Sequence, residues 1–74
     1  MMVAGRKIAE TENEVRYEFG LDRHFDRVLT IDKCSWKASA DDGRLDAAAV
    51  ALASKIRRTW EDHGDFPPGV VFSS

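Results

Sequence analysis

Val15-Arg16-Tyr17-Glu18-Phe19 and, after a short break, Val28-Leu29-Thr30-Ile31-Asp32 decide the fold of this chain. In the first stretch Val15, Tyr17 and Phe19 alternate with Arg16 and Glu18, the two-residue period of a strand with one buried face. In the second, Leu29 and Ile31 share one face, and Val28, Thr30 and Asp32 the other. The β-branched Val28, Thr30 and Ile31 fit a pleated surface. Between the two, Gly-Leu-Asp-Arg-His-Phe over residues 20–25 turns the chain. A link this short joins antiparallel neighbours, because a parallel pair needs a crossover of about a dozen residues or more.

Upstream, residues 3–10 alternate poorly and contain Gly5, which predicts an edge strand or a frayed arm. Thr11-Glu12-Asn13-Glu14 reads as a polar turn with Asn13 suited to a left-handed conformation. Downstream, Trp36 is the only large apolar side chain between Cys34 and Asp42, so that stretch reads as a loop. Asp42 is placed to cap a helix start. From Leu45 the period becomes 3.6: Leu45, Ala49, Leu52, Ala53, Ile56 and Trp60 fall on one stripe, with Arg44, Arg57, Arg58, Glu61 and Asp62 away from it. Five alanines between positions 47 and 53 add helix propensity. Gly64 and then Pro67-Pro68 end the helix. The apolar tail Val70-Val71-Phe72 docks as a short strand or covers the helix end.

The expected architecture is α+β: a three-stranded antiparallel β-meander packed by one C-terminal α-helix, a single domain over residues 1–74. Ile8, Val15, Tyr17, Phe19, Leu29 and Ile31 are expected to face Leu45, Leu52, Ile56 and Trp60. With 74 residues there is material for one core, and 43% hydrophobic residues with a net charge of -2 do not describe a disordered tail. The longest apolar run, residues 47–53, is far short of the ~20 residues a membrane helix needs, and no signal peptide is visible. A single cysteine, Cys34, argues for a reducing interior and a cytoplasmic location. Following a strand, it reads as a small buried hydrophobe.

The densest set of reactive side chains is Asp22-Arg23-His24-Phe25-Asp26. A hard-metal or zinc site here requires Cys34 or Asp32 to complete it, and the spacing is not that of a zinc finger. A polar loop whose acids pair with Arg23 in solvent is the plainer reading. Cys34 with His24 or His63 has no third group to orient a nucleophile and base. Asp41 and Asp42 are explained by capping, and no phosphate-cradling glycine pattern exists. No catalytic residue, metal or cofactor is therefore expected, and the chain does not read as an enzyme.

Interaction is the remaining class. Lys55, Arg57 and Arg58, joined by Arg44 and Lys37, form either a solvated helix face or a strip that meets phosphates. Ala47, Val50 and Ser54 are either ordinary exposed helix positions, the alanines being there for propensity, or a shallow second face for a partner helix. The expected function is a small non-enzymatic intracellular protein-interaction module, a homodimer through the helix or an exposed strand edge, or bound to another protein. The alternative is a weak nucleic-acid-binding or regulatory module using Arg44, Lys55, Arg57 and Arg58. Against it stand the net charge of -2 and a sequence in which aromatic residues are not interleaved with the basic ones.

Residues 15–20 (Val-Arg-Tyr-Glu-Phe-Gly), residues 28–32 and the alanine-rich helix running to Gly64-Asp65-Phe66-Pro67 give the chain a family likeness. It resembles the short uncharacterised hypothetical proteins of GC-rich, actinomycete-type bacterial genomes. That resemblance implies no activity and carries over no catalytic or binding residue.

Overall fold

A computed structural model describes residues 2–22 and 24–73; Arg23, one member of the polar loop, lies outside the described residues. The elements are β1 (Met2–Glu10), β2 (Glu14–Leu21), β3 (Arg27–Asp32), β4 (Ala38–Ala40), α1 (Ala47–His63) and β5 (Gly69–Ser73). All pairings are antiparallel, in the order β4-β3-β2-β1-β5. The α+β class with one helix holds, but the sheet has five strands where the sequence predicts three.

The alternation in β2 and β3 sets the register. Val15 stands opposite Ile31 and Tyr17 opposite Leu29, so their side chains share the face that α1 covers. There they join Val3, Phe19, Ala49, Leu52 and Ile56, all fully buried. Thr11 closes the first turn by accepting at its hydroxyl from the Asn13 and Glu14 amides, both at 3.2 Å. Asn13 therefore does not adopt the expected left-handed conformation; among the described non-glycine residues only Asp22 and Trp36 have positive φ.

Strand β1 is interior, not an edge, because β5 returns to pair with it from Met2↔Ser73 to Arg6↔Gly69. Gly5 has a packing reason: a Cβ there would meet Leu52 Cδ2 at 3.0 Å, so the missing side chain lets the helix approach the sheet. The poor alternation also has a cause. The register slips between Lys7 and Ala9, a bulge that leaves Ile8 49% exposed and outside the core it was expected to join.

The helix begins later than its sequence stripe. Asp46, not Asp42, is the N-cap, accepting from the Ala49 amide at 3.1 Å. Leu45 thus precedes the first turn and is 49% exposed, while Trp60 is 37% exposed at the other end. Ala48, Ala49, Leu52 and Ile56 are the helix's core residues. Gly64 ends it as expected, with φ 81° and its N–H on the Trp60 carbonyl.

Candidate interaction surface

Three groups of polar and aromatic side chains surround the core. The first is built on Arg27, at the start of β3. Its guanidinium lies 4.7 Å from the centre of the Phe19 ring and donates to Asp42 at 2.8 Å, to Asp46 at 3.1 Å and to the Arg44 carbonyl at 2.7 Å. Asp42 thereby helps hold residues 41–46 against the sheet and also accepts from the Arg44 amide, while Asp46, directly before the first helical residue, is the cap. Arg27 first and the Arg44 amide second hold the Asp42 carboxyl below the usual carboxylate range. For Asp46 the Ala49 amide is the larger cause and Arg27 the next. This group is a clamp on the helix start.

The second group is an aromatic corner at the other end of the molecule. Trp36, Trp60 and Phe66 pack together, with the Trp36 ring 5.1 Å from Trp60 and 5.4 Å from Phe66. Trp36 reaches this place from a tight turn in which its amide bonds the Asp32 carbonyl and its φ is 61°. The Asp32 carboxylate orders the same turn by accepting from the Cys34 and Ser35 amides at 2.8 and 2.9 Å. Arg57 lies over Trp36 and Lys33 over Phe66, each 5.3 Å from the ring centre. Lys7 and Lys33 share Glu10, at 2.8 and 2.7 Å, and these two ammonium groups, Lys33 first, keep the Glu10 carboxyl low. The cleft beside the rings, about 610 Å³, is walled by both signs of charge, including Asp65. Basic and aromatic side chains do interleave here, in space though not in sequence order.

The third group lies between the helix and β5. Lys55, Arg58, Ala51 and Ser54 of α1 face Val71, Phe72 and Ser73 across a groove of about 360 Å³. Lys55 and Arg58 form no ion pair with any described residue. Next to it, Val71 is 47% exposed on the face of the sheet that α1 leaves open.

The four basic residues singled out in the sequence thus divide. Lys55 and Arg58 share the β5 groove, Arg57 lies 100° of helix rotation from Arg58 and stacks on Trp36, and Arg44 stands before α1 beside Asp42 at 3.7 Å. Lys37 lies on the strip beside β4, with Thr30 and Ser39. Ala47, Val50 and Ser54 are exposed together on the outer side of α1.

The Asp22–Asp26 loop is turned by its own backbone, His24 N–H to Leu21 and Asp26 N–H to His24. Asp32 is the last residue of six-residue β3 and Cys34 lies just past it, on the order of 20 Å away. Among the described residues no group of three or more His, Cys, Asp or Glu side chains comes together as a cation site. Cys34 is exposed in its turn, not buried, because Asp32 binds the amides there and keeps the segment outside the sheet. No helix is long and apolar enough to cross a membrane among the described residues.

No protein-family model matches the chain, and neither does any curated protein or solved structure.

Proposed function

We propose that this chain is a small non-enzymatic protein-interaction module whose contacts run along the β5 side of α1. The observation that carries this reading is the pair of cations, Lys55 and Arg58, which form no ion pair with any described residue and flank part-exposed Phe72 at an open sheet edge. Charge without an internal partner next to exposed apolar surface is what a polar-rimmed protein contact offers. The exposed, unpaired Cys34 suits a reducing, cytoplasmic setting.

A second reading is favoured by one observation. Arg57 and Lys33 stack on the Trp36–Phe66 pair, with Trp60 part-exposed alongside, and cations set against aromatic rings are the furniture of single-stranded nucleic-acid sites. The ring faces of Trp36 are largely occupied by Phe66 and Arg57, and Lys7 and Lys33 are both engaged by Glu10, which favours the protein reading.

A photo-cross-linking residue at Val71, and separately at Val50, tests the first reading in the cells that make the protein. A discrete adduct with one identified protein is expected. Titration with a single-stranded oligonucleotide at low salt, where phosphate attraction is greatest, is expected to show no saturable binding. Oligonucleotide binding abolished by Arg57→Ala, with no protein adduct, would overturn the protein reading in favour of the second.

A further inference from the structure

We infer that the open edge of β5 takes up an extended acidic peptide as a sixth strand, its carboxylates pairing with Lys55 and Arg58. This rests on the protein-interaction reading and names the partner's chemistry.

Among the described residues β5 pairs only with β1, so the N–H and C=O of every second residue of Gly69–Ser73 point away from the sheet. Edges are usually blunted by charge, proline or a bulge, and this one carries none of them. Gly-Val-Val-Phe-Ser has no charged residue and no proline, and its register with β1 is unbroken. The other edge, β4, is only three residues long.

The neighbouring helix flank supplies what the edge lacks. Ala51 and Ser54 are small and leave room above Phe72, whose ring is half-buried in the floor of the groove. A strand added about 4.8 Å from β5 would turn alternate side chains toward α1, spaced about 6.8 Å apart. Lys55 and Arg58 stand three residues apart, about 4.5 Å along the helix axis, and both are long and flexible. They therefore reach two successive inward carboxylates. Backbone bonds to β5 supply affinity and the two cations select acid.

A second copy fits the edge less well. Antiparallel pairing of β5 with itself, centred on Val71, brings Lys55 and Arg58 of both copies to one seam, where like charges oppose association.

The test uses the full chain and a fluorescein-labelled heptapeptide, Thr-Glu-Val-Glu-Val-Glu-Thr, with a second peptide in which lysine replaces glutamate. Saturable anisotropy with the acidic peptide is expected, together with amide shifts concentrated at Gly69–Ser73. The double variant K55E/R58E should weaken the acidic peptide at least tenfold, keep the amide pattern of β2 and β3, and gain binding of the lysine peptide. Absence of binding, indifference to the charge reversal, or shifts centred on Trp36 and Trp60 would each overturn the inference. A concentration-dependent dimer that protects the β5 amides would do the same, in favour of self-pairing. If the peptide fails while Val50 still cross-links to a defined protein, the strand-addition inference falls and the interaction reading survives. Loss of both adducts removes the reading itself.

Discussion

The Tyr17 hydroxyl donates to the Pro67 carbonyl at 2.5 Å, so a residue in the middle of β2 holds the segment that carries the chain from α1 into β5. The bond lies at the margin of the core, and burial pushes the Tyr17 phenol well above its ordinary value, with the charge of Glu10 a smaller cause. Lys7 completes the attachment through its amide, which bonds the Pro68 carbonyl at 2.9 Å.

Tyr17→Phe removes that bond and leaves the Pro67 carbonyl without its partner. A loss of about 0.5–1.5 kcal/mol is expected, readable as a fall of several degrees in Tm for a domain of this size. The pH dependence is a second signature. In the unfolded chain Tyr17 ionises near pH 10, while in the folded state it keeps its proton at higher pH. The stabilisation is complete below pH ~10 and is lost as pH rises beyond it. Urea melts between pH 9 and 11 should show the wild type losing stability more steeply than Tyr17→Phe.

Gly5 and Leu52 form a coupled pair. Gly5→Ala places a methyl group 3.0 Å from Leu52 Cδ2 and 3.2 Å from Cδ1, an overpacking expected to cost about 1–3 kcal/mol. Leu52→Val alone destabilises by removing buried volume. Combined, each relieves the other, so the double variant should be more stable than the sum of the two losses allows. A double-mutant cycle by urea denaturation measures this, and strict additivity would place Gly5 away from the helix contact.

Acid should loosen the helix start. The carboxyls of Asp42 and Asp46 titrate lower in the folded chain than in the unfolded one, where they lie near 3.9. Their contribution is present above that value and fades as pH falls through their folded values. Thermal melts from pH 6 down to pH 2 should therefore show a decline below about pH 4, shallower in D42N/D46N. Arg27→Met should lower stability at pH 7 by about 1–2 kcal/mol, the partners being part-exposed, and should also flatten the acid limb.

Trp36 has a backbone that favours glycine. With φ at 61°, Trp36→Gly and Trp36→Ala lose the same ring contacts with Trp60 and Phe66, but only alanine keeps the left-handed strain. The glycine variant should be the more stable by about 1 kcal/mol. At an ordinary extended or helical position the order is reversed, so denaturation of the two variants reads the backbone conformation directly.

Local periodicity carried much of this fold. The alternations of Val15-Tyr17-Phe19 and Leu29-Ile31 appear as paired, buried strand faces, and the 3.6 period ending at Gly64 appears as α1. What was hidden depends on contacts distant in sequence. Ala38–Ala40 is too short and too small-sided to show a period, and β5 is recognisable as a strand only once β1 is there to receive it. Gly5 mimics a weak edge until Leu52 is seen above it. The cap is Asp46 rather than Asp42 because the chain between them stays a loop, in which Asp42 accepts from the Arg44 amide and from Arg27, fifteen residues upstream.

The candidate surface was legible in part. Lys55, Arg57 and Arg58 were visible as off-stripe cations, but the stacking of Arg57 on Trp36 depends on the turn after β3. The same holds for the aromatic corner, whose members Trp36, Trp60 and Phe66 are scattered along the chain. The β5 groove needed a strand whose existence the tail alone left open between docking and covering.

Amide hydrogen exchange along residues 69–73 of the full chain, read residue by residue by NMR, tests the central claim most directly. An edge strand docked on β1 and open on its other side predicts alternation. Amides turned toward β1 should exchange slowly, at the pace of β2, and those turned outward should exchange within the dead time. Uniformly fast exchange would mean that β5 is not docked on β1, and uniformly slow exchange that its outer edge is already covered; either result contradicts an open edge.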